Sequence, residues 1–112
     1  MRRIWQSLAV LAAVALLGLA SVSAGDPAAV TIKTFQFTPT PLEVKAGTRV
    51  TWTNQDDIGH TVTSGTPESR DGRFDSRLDG KGVATSVTFT QPGTYDYFCN
   101  RLQSMRGQIR VN

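Results

Sequence analysis

The chain has 112 residues, with 12 Lys and Arg against 9 Asp and Glu and a formal net charge of +3. This length allows one small domain, and no basic stripe or aromatic platform marks a nucleic-acid interface. A single cysteine excludes an internal disulfide, so Cys99 is a buried free thiol, an intermolecular bridge or a ligand.

The first two dozen residues have the pattern of an export signal. Two arginines precede an uncharged, mostly apolar run over residues 4–19, and small residues follow at 22–24. The apolar run is shorter than the roughly 20 residues that span a bilayer, which makes an uncleaved membrane anchor the weaker alternative. The sequence therefore predicts cleavage after Ala24, a signal peptide over 1–24 and one mature domain over 25–112. Without the two arginines the net charge falls to +1, so the basic pI of the full chain is no indication of nucleic-acid binding.

From residue 28 onward the sequence alternates in the manner of β-strands, without a helical period. Val30 and Ile32 share one face of the first predicted strand, whereas Phe35 and Phe37 have the opposite parity. We expect a β-bulge near residues 33–34, because it would keep all four side chains facing the core.

The remaining alternating segments predict a small all-β domain. The segment 65–82 mixes glycine, serine and charges of both signs, so we expect a solvated surface loop that Phe74 and Leu78 attach to the body. About seven short strands in under 90 positions favour an antiparallel or mixed β-sandwich without repeats. The further strands are predicted over 42–45, 49–54, 60–64, 84–90, 94–99 and 107–111.

Three side chains carry the donor atoms of a possible metal site. Cys99 ends a predicted strand, Met105 follows six positions later, and His60 is the only histidine of the chain. Each alone is more commonly structural, but together they place one nitrogen and two sulfur donors at one end of a sandwich. Copper(I) accepts thiolate and thioether ligands, whereas zinc binds a thioether poorly. Cys99 as a nucleophile with His60 as its base remains an open alternative.

With these residues in place, the sequence resembles the cupredoxins, and most closely the amicyanin and plastocyanin-like members. The resemblance covers nearly all of the mature chain and implies a Greek-key sandwich that shuttles one electron through a mononuclear copper, without enzyme activity. The matching segments are FQFTP at 35–39, VKAG at 44–47, VTWTN at 50–54, HTV at 60–62, FDS at 74–76, GTYDYFC at 93–99 and MRG at 105–107.

The resemblance also implies roles for single residues. His60 is similar to the upstream imidazole ligand, Cys99 to the thiolate and Met105 to the weak axial thioether. Asn54 is similar to the asparagine that tethers the ligand loop by hydrogen bonds. The family's second histidine ligand stands three positions after the cysteine, and this chain has Leu102 there, with Gln103 where proline is common.

The loss of one imidazole has a chemical consequence. Copper(II) favours the missing nitrogen donor, whereas copper(I) is satisfied by two sulfurs and one nitrogen. We therefore expect an incomplete type 1 copper site that is weaker and relatively selective for copper(I). Water, a small ligand, the Gln103 amide or a donor from another protein would fill the open position.

Three functions follow from these residues. The first is a periplasmic or secreted electron carrier, a monomer that meets redox proteins at the Leu102 and Met105 end, without nucleic acid or stable membrane insertion. The second is a copper(I) carrier or buffer, because an incomplete ligand set suits exchange with an acceptor. The third is a metal-free interaction module in which Cys99 is buried and inert.

Overall fold

The computed structural model describes residues 25–112, which form a single sandwich of two β-sheets. The predicted signal peptide lies outside the described residues. No segment of residues 25–112 forms a helix with the length and apolar character that crossing a bilayer requires.

Nine strands build the two sheets of the described part of the chain. One sheet has four strands in the order β2-β1-β4-β7, and the other has five in the order β3-β9-β8-β5-β6. The pairs β1–β4 and β3–β9 are parallel and the other pairs antiparallel, so the predicted all-β sandwich is confirmed in its mixed form. The strands are β1 Ala28–Lys33, β2 Gln36–Thr38, β3 Leu42–Val44, β4 Thr48–Asn54, β5 His60–Thr66, β6 Ser69–Leu78, β7 Ala84–Phe89, β8 Gly93–Phe98 and β9 Arg106–Val111.

The core lies between the sheets and follows the alternation of the sequence. Val50 and Trp52 of β4 are fully buried, and the alternating Thr51 and Thr53 are only half-buried. The Trp52 ring meets Tyr97 of β8 edge to face, with centroids 5.3 Å apart. On the neighbouring β9 a Cβ at Gly107 would overlap the Tyr97 ring, so glycine is the residue that admits this aromatic contact.

The predicted bulge at residues 33–34 is wrong. The chain reverses there, so that β1 and β2 form an antiparallel hairpin with Lys33 opposite Gln36. Thr34 and Phe35 occupy the turn with φ of 53° and 58°, as a two-residue type I′ turn requires. Phe37 therefore faces the core, whereas Phe35, which we expected inside, is 47% exposed.

The predicted surface loop over 65–82 is mostly a strand. Residues 69–78 form β6, which pairs with β5 at the edge of the larger sheet. The sequence of β6 shows no alternation of apolar and polar residues. An edge strand exposed to solvent is stabilised by backbone hydrogen bonds rather than by burial, so it needs no such alternation. Leu78 is fully buried and Phe74 packs against the core, as predicted for the two residues that attach this segment.

Candidate metal centre

The larger sheet brings the three candidate ligands to one end of the sandwich. His60 is the first residue of β5, Cys99 follows the last residue of β8, and Met105 precedes β9. Strands β5, β8 and β9 are neighbours in the order β9-β8-β5. Because β8 is antiparallel to both neighbours, its carboxyl end lies beside the amino ends of β5 and β9.

The nitrogen and sulfur donors have a separation that one metal ion can bridge. Nδ1 of His60 lies 3.7 Å from Sγ of Cys99. An ion bound to nitrogen at about 2.0 Å and to sulfur at about 2.3 Å in near-tetrahedral geometry would separate the two atoms by roughly 3.5 to 3.8 Å. His60, Cys99 and Met105 are 1%, 0% and 4% exposed, so bulk water is largely excluded from the donors. These residues fit the copper ion that the resemblance implies.

Backbone hydrogen bonds close the loop that joins the two sulfur residues. The Cys99 amide donates to the Met105 carbonyl at 3.0 Å, and the Met105 amide donates to the Leu102 carbonyl at 3.0 Å. Strand β5 holds the same loop from the side, since the Asn100 amide donates to Oγ1 of Thr61 at 2.7 Å. These hydrogen bonds tie both ends of the 99–105 loop to each other and its start to β5.

The sulfur of Cys99 is also oriented by the strand that carries the imidazole. The Thr61 amide, next to His60 in sequence, points at Sγ with a nitrogen–sulfur distance of 3.5 Å. A weak amide-to-sulfur bond of this kind fixes the direction of a metal-binding thiolate.

Asn54 lies at the end of β4, fully buried, and braces the loop that leads to His60. Its Nδ2 donates to the carbonyls of Ile58 and Leu78 at 2.8 and 3.0 Å, and its Oδ1 accepts from the Asp56 amide at 2.9 Å. The hydrogen-bonding role predicted for Asn54 is thus directed at the loop that precedes His60.

Asp56 is a functional candidate that the sequence reasoning missed. Its Oδ2 lies 2.8 Å from Nε2 of His60, on the side of the ring opposite Cys99. The amides of Thr34 and Phe35 donate to the same carboxylate at 2.8 and 3.1 Å. Desolvation opposes ionisation, but these amide bonds from Phe35 and Thr34, together with the His60 ring, hold the pKa of Asp56 below its ordinary value. The sequence does contain one feature that could have revealed Asp56, because this acid stands four positions before His60, the only histidine of the chain.

The series Cys99, His60 and Asp56 has the order of a nucleophile, a base and an orienting acid. Sγ is nevertheless fully buried, and a nucleophile must reach its substrate. The burial therefore favours a ligand role for the thiol over the open alternative of covalent catalysis.

Leu102 lies at the outer side of the loop with 40% of its surface exposed. Its neighbour Arg101 turns toward β5, where Nη1 donates to the Gly59 carbonyl at 3.3 Å. Within residues 25–112 no cluster of three or more His, Cys, Asp or Glu side chains is placed to hold a metal. The three predicted ligands together offer one imidazole nitrogen and two sulfur atoms.

Comparison with known proteins shows the family to which the chain belongs. The profile of copper binding proteins of the plastocyanin/azurin family matches residues 26–112. Amicyanin-alpha of Methylorubrum extorquens is 34% identical over 96% of this chain and 89% of its own length. Plastocyanin of Scenedesmus fuscus is 32% identical over 67% of this chain and 85% of its own. The structure of a purple cupredoxin from Nitrosopumilus maritimus superimposes with a TM-score of 0.70 and 27% identity, covering 76% of this chain and 99% of that one. The chain belongs to the plastocyanin/azurin family of copper-binding proteins.

Proposed function

We propose that this protein is an exported small copper protein that carries single electrons between redox partners through an incomplete type 1 site. His60, Cys99 and Met105 would hold the copper. The single observation that carries the proposal is the 3.7 Å approach of Nδ1 of His60 to Sγ of Cys99 in a buried site.

Bound copper would supply a one-electron couple, and the protein would limit how far its ligands move when the charge changes. His60, Cys99 and Met105 stand at the ends of three adjacent strands, which restricts relative motion of their backbones. The hydrogen bonds within the 99–105 loop further restrict the two sulfur residues. A rigid, largely dry site requires little rearrangement, and rapid electron exchange depends on this.

Leu102 makes the proposed ligand set incomplete. The apolar side chain offers no donor, and the chain has no second histidine. With two sulfurs and one nitrogen, the site would favour copper(I) and bind copper(II) less tightly than a two-imidazole site. Water, a small ligand, the Gln103 amide or a donor from a partner would complete the coordination.

The partner surface in this proposal is the end of the sandwich around the ligands. Three large apolar side chains are exposed beside ligand residues: Phe35 at 47%, Ile58 at 46% and Leu102 at 40%. Phe35 contacts the His60 ring, with centroids 5.6 Å apart. An apolar face over the donors suits brief docking of a redox protein to a monomeric carrier, because such a face lets the partner approach the site without ordering charged groups.

The remaining parts of the proposal concern location and chemistry. Cleavage after Ala24 would release residues 25–112 into the periplasm or the extracellular space. The protein would bind no substrate of its own, so it would act as a carrier rather than an enzyme.

The test is the copper content and visible spectrum of the purified protein beside those of the Leu102→His variant. We expect a weak or shifted thiolate–copper band in the natural protein and an intense band in the variant. An intense two-imidazole type of band in the natural protein would contradict the incomplete site. If neither protein binds copper, the metal-free interaction module becomes the better account.

A copper(I) carrier is the second candidate, favoured by the surroundings of Met105. A surface groove beside β2 includes Met105 in its lining, so an acceptor seated there would lie next to the buried thioether residue. A carrier would transfer copper(I) to a competing thiol chelator at a measurable rate, whereas an electron carrier would retain copper through repeated oxidation and reduction. The groove is lined by Phe35, Gln36, Phe37, Thr40, Ser104, Met105 and Arg106.

A further inference from the structure

The turn between β1 and β2 has a conformation that its own residues do not favour. Thr34 and Phe35 both have positive φ, where a side chain costs about 1 to 2 kcal/mol per residue. A type I′ turn normally uses asparagine and glycine at these positions. Something outside the turn must therefore stabilise it, and the group in contact with both amides is Asp56.

The Asp56 carboxylate accepts three hydrogen bonds, and two of the donors lie more than twenty positions away in sequence. Oδ1 accepts from the Thr34 amide at 2.8 Å, and Oδ2 accepts from the Phe35 amide at 3.1 Å. The third contact is between Oδ2 and Nε2 of His60 at 2.8 Å. The backbone of Asp56 is held in turn by Asn54, so the carboxylate is presented from a fixed position.

Both carboxylate oxygens of Asp56 accept hydrogen bonds from backbone amides, so the carboxylate is arranged as an acceptor and Nε2 of His60 is the donor that matches it. In the neutral ring the lone pair then lies on Nδ1, which is the nitrogen 3.7 Å from Sγ of Cys99. The Phe35 ring meets the imidazole edge to face at an interplanar angle of 83° and restricts its rotation. The same turn that Asp56 stabilises thus also supplies the aromatic wall of the imidazole.

We propose that Asp56 is a positioning residue of the metal centre: it fixes the His60 tautomer that presents Nδ1 to the metal and ties that ring to the β1–β2 turn. This inference rests on the proposed function, since it takes His60 as a ligand. In a site with one imidazole, the carboxylate also strengthens the nitrogen donor that remains.

A purely structural role would differ in its consequences. If Asp56 only stabilised the turn, its removal would lower the stability and leave the His60 tautomer unchanged. The tautomer is directly measurable, because the chain has one histidine and its ring nitrogens give unambiguous signals.

The experiment is a long-range proton–nitrogen correlation spectrum of the copper-free, nitrogen-15-labelled protein. The buffer is mildly alkaline, above the ordinary imidazole pKa of about 6.5. We expect the natural protein to show Nε2 protonated and Nδ1 with its lone pair free. In Asp56→Asn, an NH2 group replaces one of the two carboxylate oxygens. This group is a donor and would face an N–H that the oxygen accepted before, so the preference for a proton on Nε2 is lost and we expect a mixture of tautomers. Asp57→Asn, the same change at the exposed neighbouring position, should leave the tautomer as in the natural protein.

The Thr34→Gly background separates ring positioning from turn stability. Glycine adopts positive φ without strain, so the turn no longer depends as strongly on Asp56. Asp56→Asn in this background should fold more stably than Asp56→Asn alone and should still show mixed tautomers. Retention of the single Nε2-protonated form in either Asp56→Asn protein would overturn the proposal, as would a proton on Nδ1 in the natural protein.

A copper(I) competition titration supplies the second measurement. We expect Asp56→Asn to weaken copper(I) binding by about 10- to 100-fold, as is common for groups that orient a metal-binding histidine. Asp57→Asn should bind copper(I) as the natural protein does, and equal affinity for both variants would contradict the proposal. If the natural protein binds no copper, the proposed function fails, while the tautomer spectra still decide whether Asp56 positions the ring.

Discussion

Nδ1 of His60 and Sγ of Cys99 lie 3.7 Å apart although 39 positions separate the residues in sequence. His60 begins β5 and Cys99 directly follows β8, and these two strands are neighbours in the larger sheet. Ligands that a fold holds close to one another bind a metal at lower cost than ligands that must be gathered from a disordered loop.

Cys99→Ala should remove the stabilisation that copper confers. A ligand that binds the folded protein alone raises its stability by about 2.7 kcal/mol at a free concentration 100 times the dissociation constant. We expect copper(I) to raise the melting temperature of the natural protein and to leave that of Cys99→Ala unchanged. Calorimetry of both proteins, each with and without copper(I), measures the difference. An equal copper-dependent shift in the variant would show that Cys99 is not a ligand.

Asn54→Ala should lower the stability and loosen the loop before His60. The substitution removes three hydrogen bonds of a fully buried side chain and leaves the carbonyls of Ile58 and Leu78 without this donor. At about 1 kcal/mol per bond, we expect a loss of roughly 3 kcal/mol in urea unfolding. Gln55→Ala, at the next and exposed position, is the control and should stay within about 0.5 kcal/mol.

Gly107→Ala should destabilise the sandwich through its contact with Tyr97. A Cβ there would overlap the aromatic ring, which is buried and has no free direction in which to move. Overpacking of this kind costs about 1 to 3 kcal/mol. Gly80→Ala is the matched control, because the space around a Cβ at Gly80 is open and its φ is not in the left-handed region. Similar unfolding free energies for the two variants would refute the packing argument.

Tyr97 should make the folded protein sensitive to alkaline pH. Burial raises the pKa of Tyr97 from 10.0 to about 12. The pKa of Tyr97 is higher in the folded than in the unfolded protein. The contribution of Tyr97 to the free energy of unfolding is therefore fully present below pH 10 and is lost as the pH rises toward 12. Two pKa units correspond to about 3 kcal/mol at the upper end of this window.

The measurement is the free energy of unfolding between pH 9 and pH 12 for the natural protein and Tyr97→Phe. In Tyr97→Phe, the free energy of unfolding should not show the decrease with rising pH that we attribute to Tyr97. It should also lose little stability at neutral pH, since the Tyr97 hydroxyl has no hydrogen-bond partner among the described residues. Parallel declines in both proteins would assign the alkaline sensitivity to another group.

Much of the scaffold could be predicted from local patterns. The alternation around Val50 and Trp52 identified β4 and its buried face, and the Cys99 to Met105 spacing identified the loop at the end of the larger sheet. These predictions held because burial on one side of a strand imposes a two-residue period on the sequence. Where burial was absent, as along β6, the same method predicted a loop in place of a strand.

The sequence by itself determined the sandwich class and the inward faces of its central strands, and it predicted three candidate donor residues. Only the tertiary structure decided that Phe35 turns outward and that Asp56 meets both His60 and the β1–β2 turn. The contacts of Asp56 with the turn join residues 21 and 22 positions apart, and no periodic pattern encodes them. A carboxylate accepts hydrogen bonds from whichever donors the fold brings within about 3 Å, so its partners follow from the arrangement of the strands rather than from its neighbours in the chain.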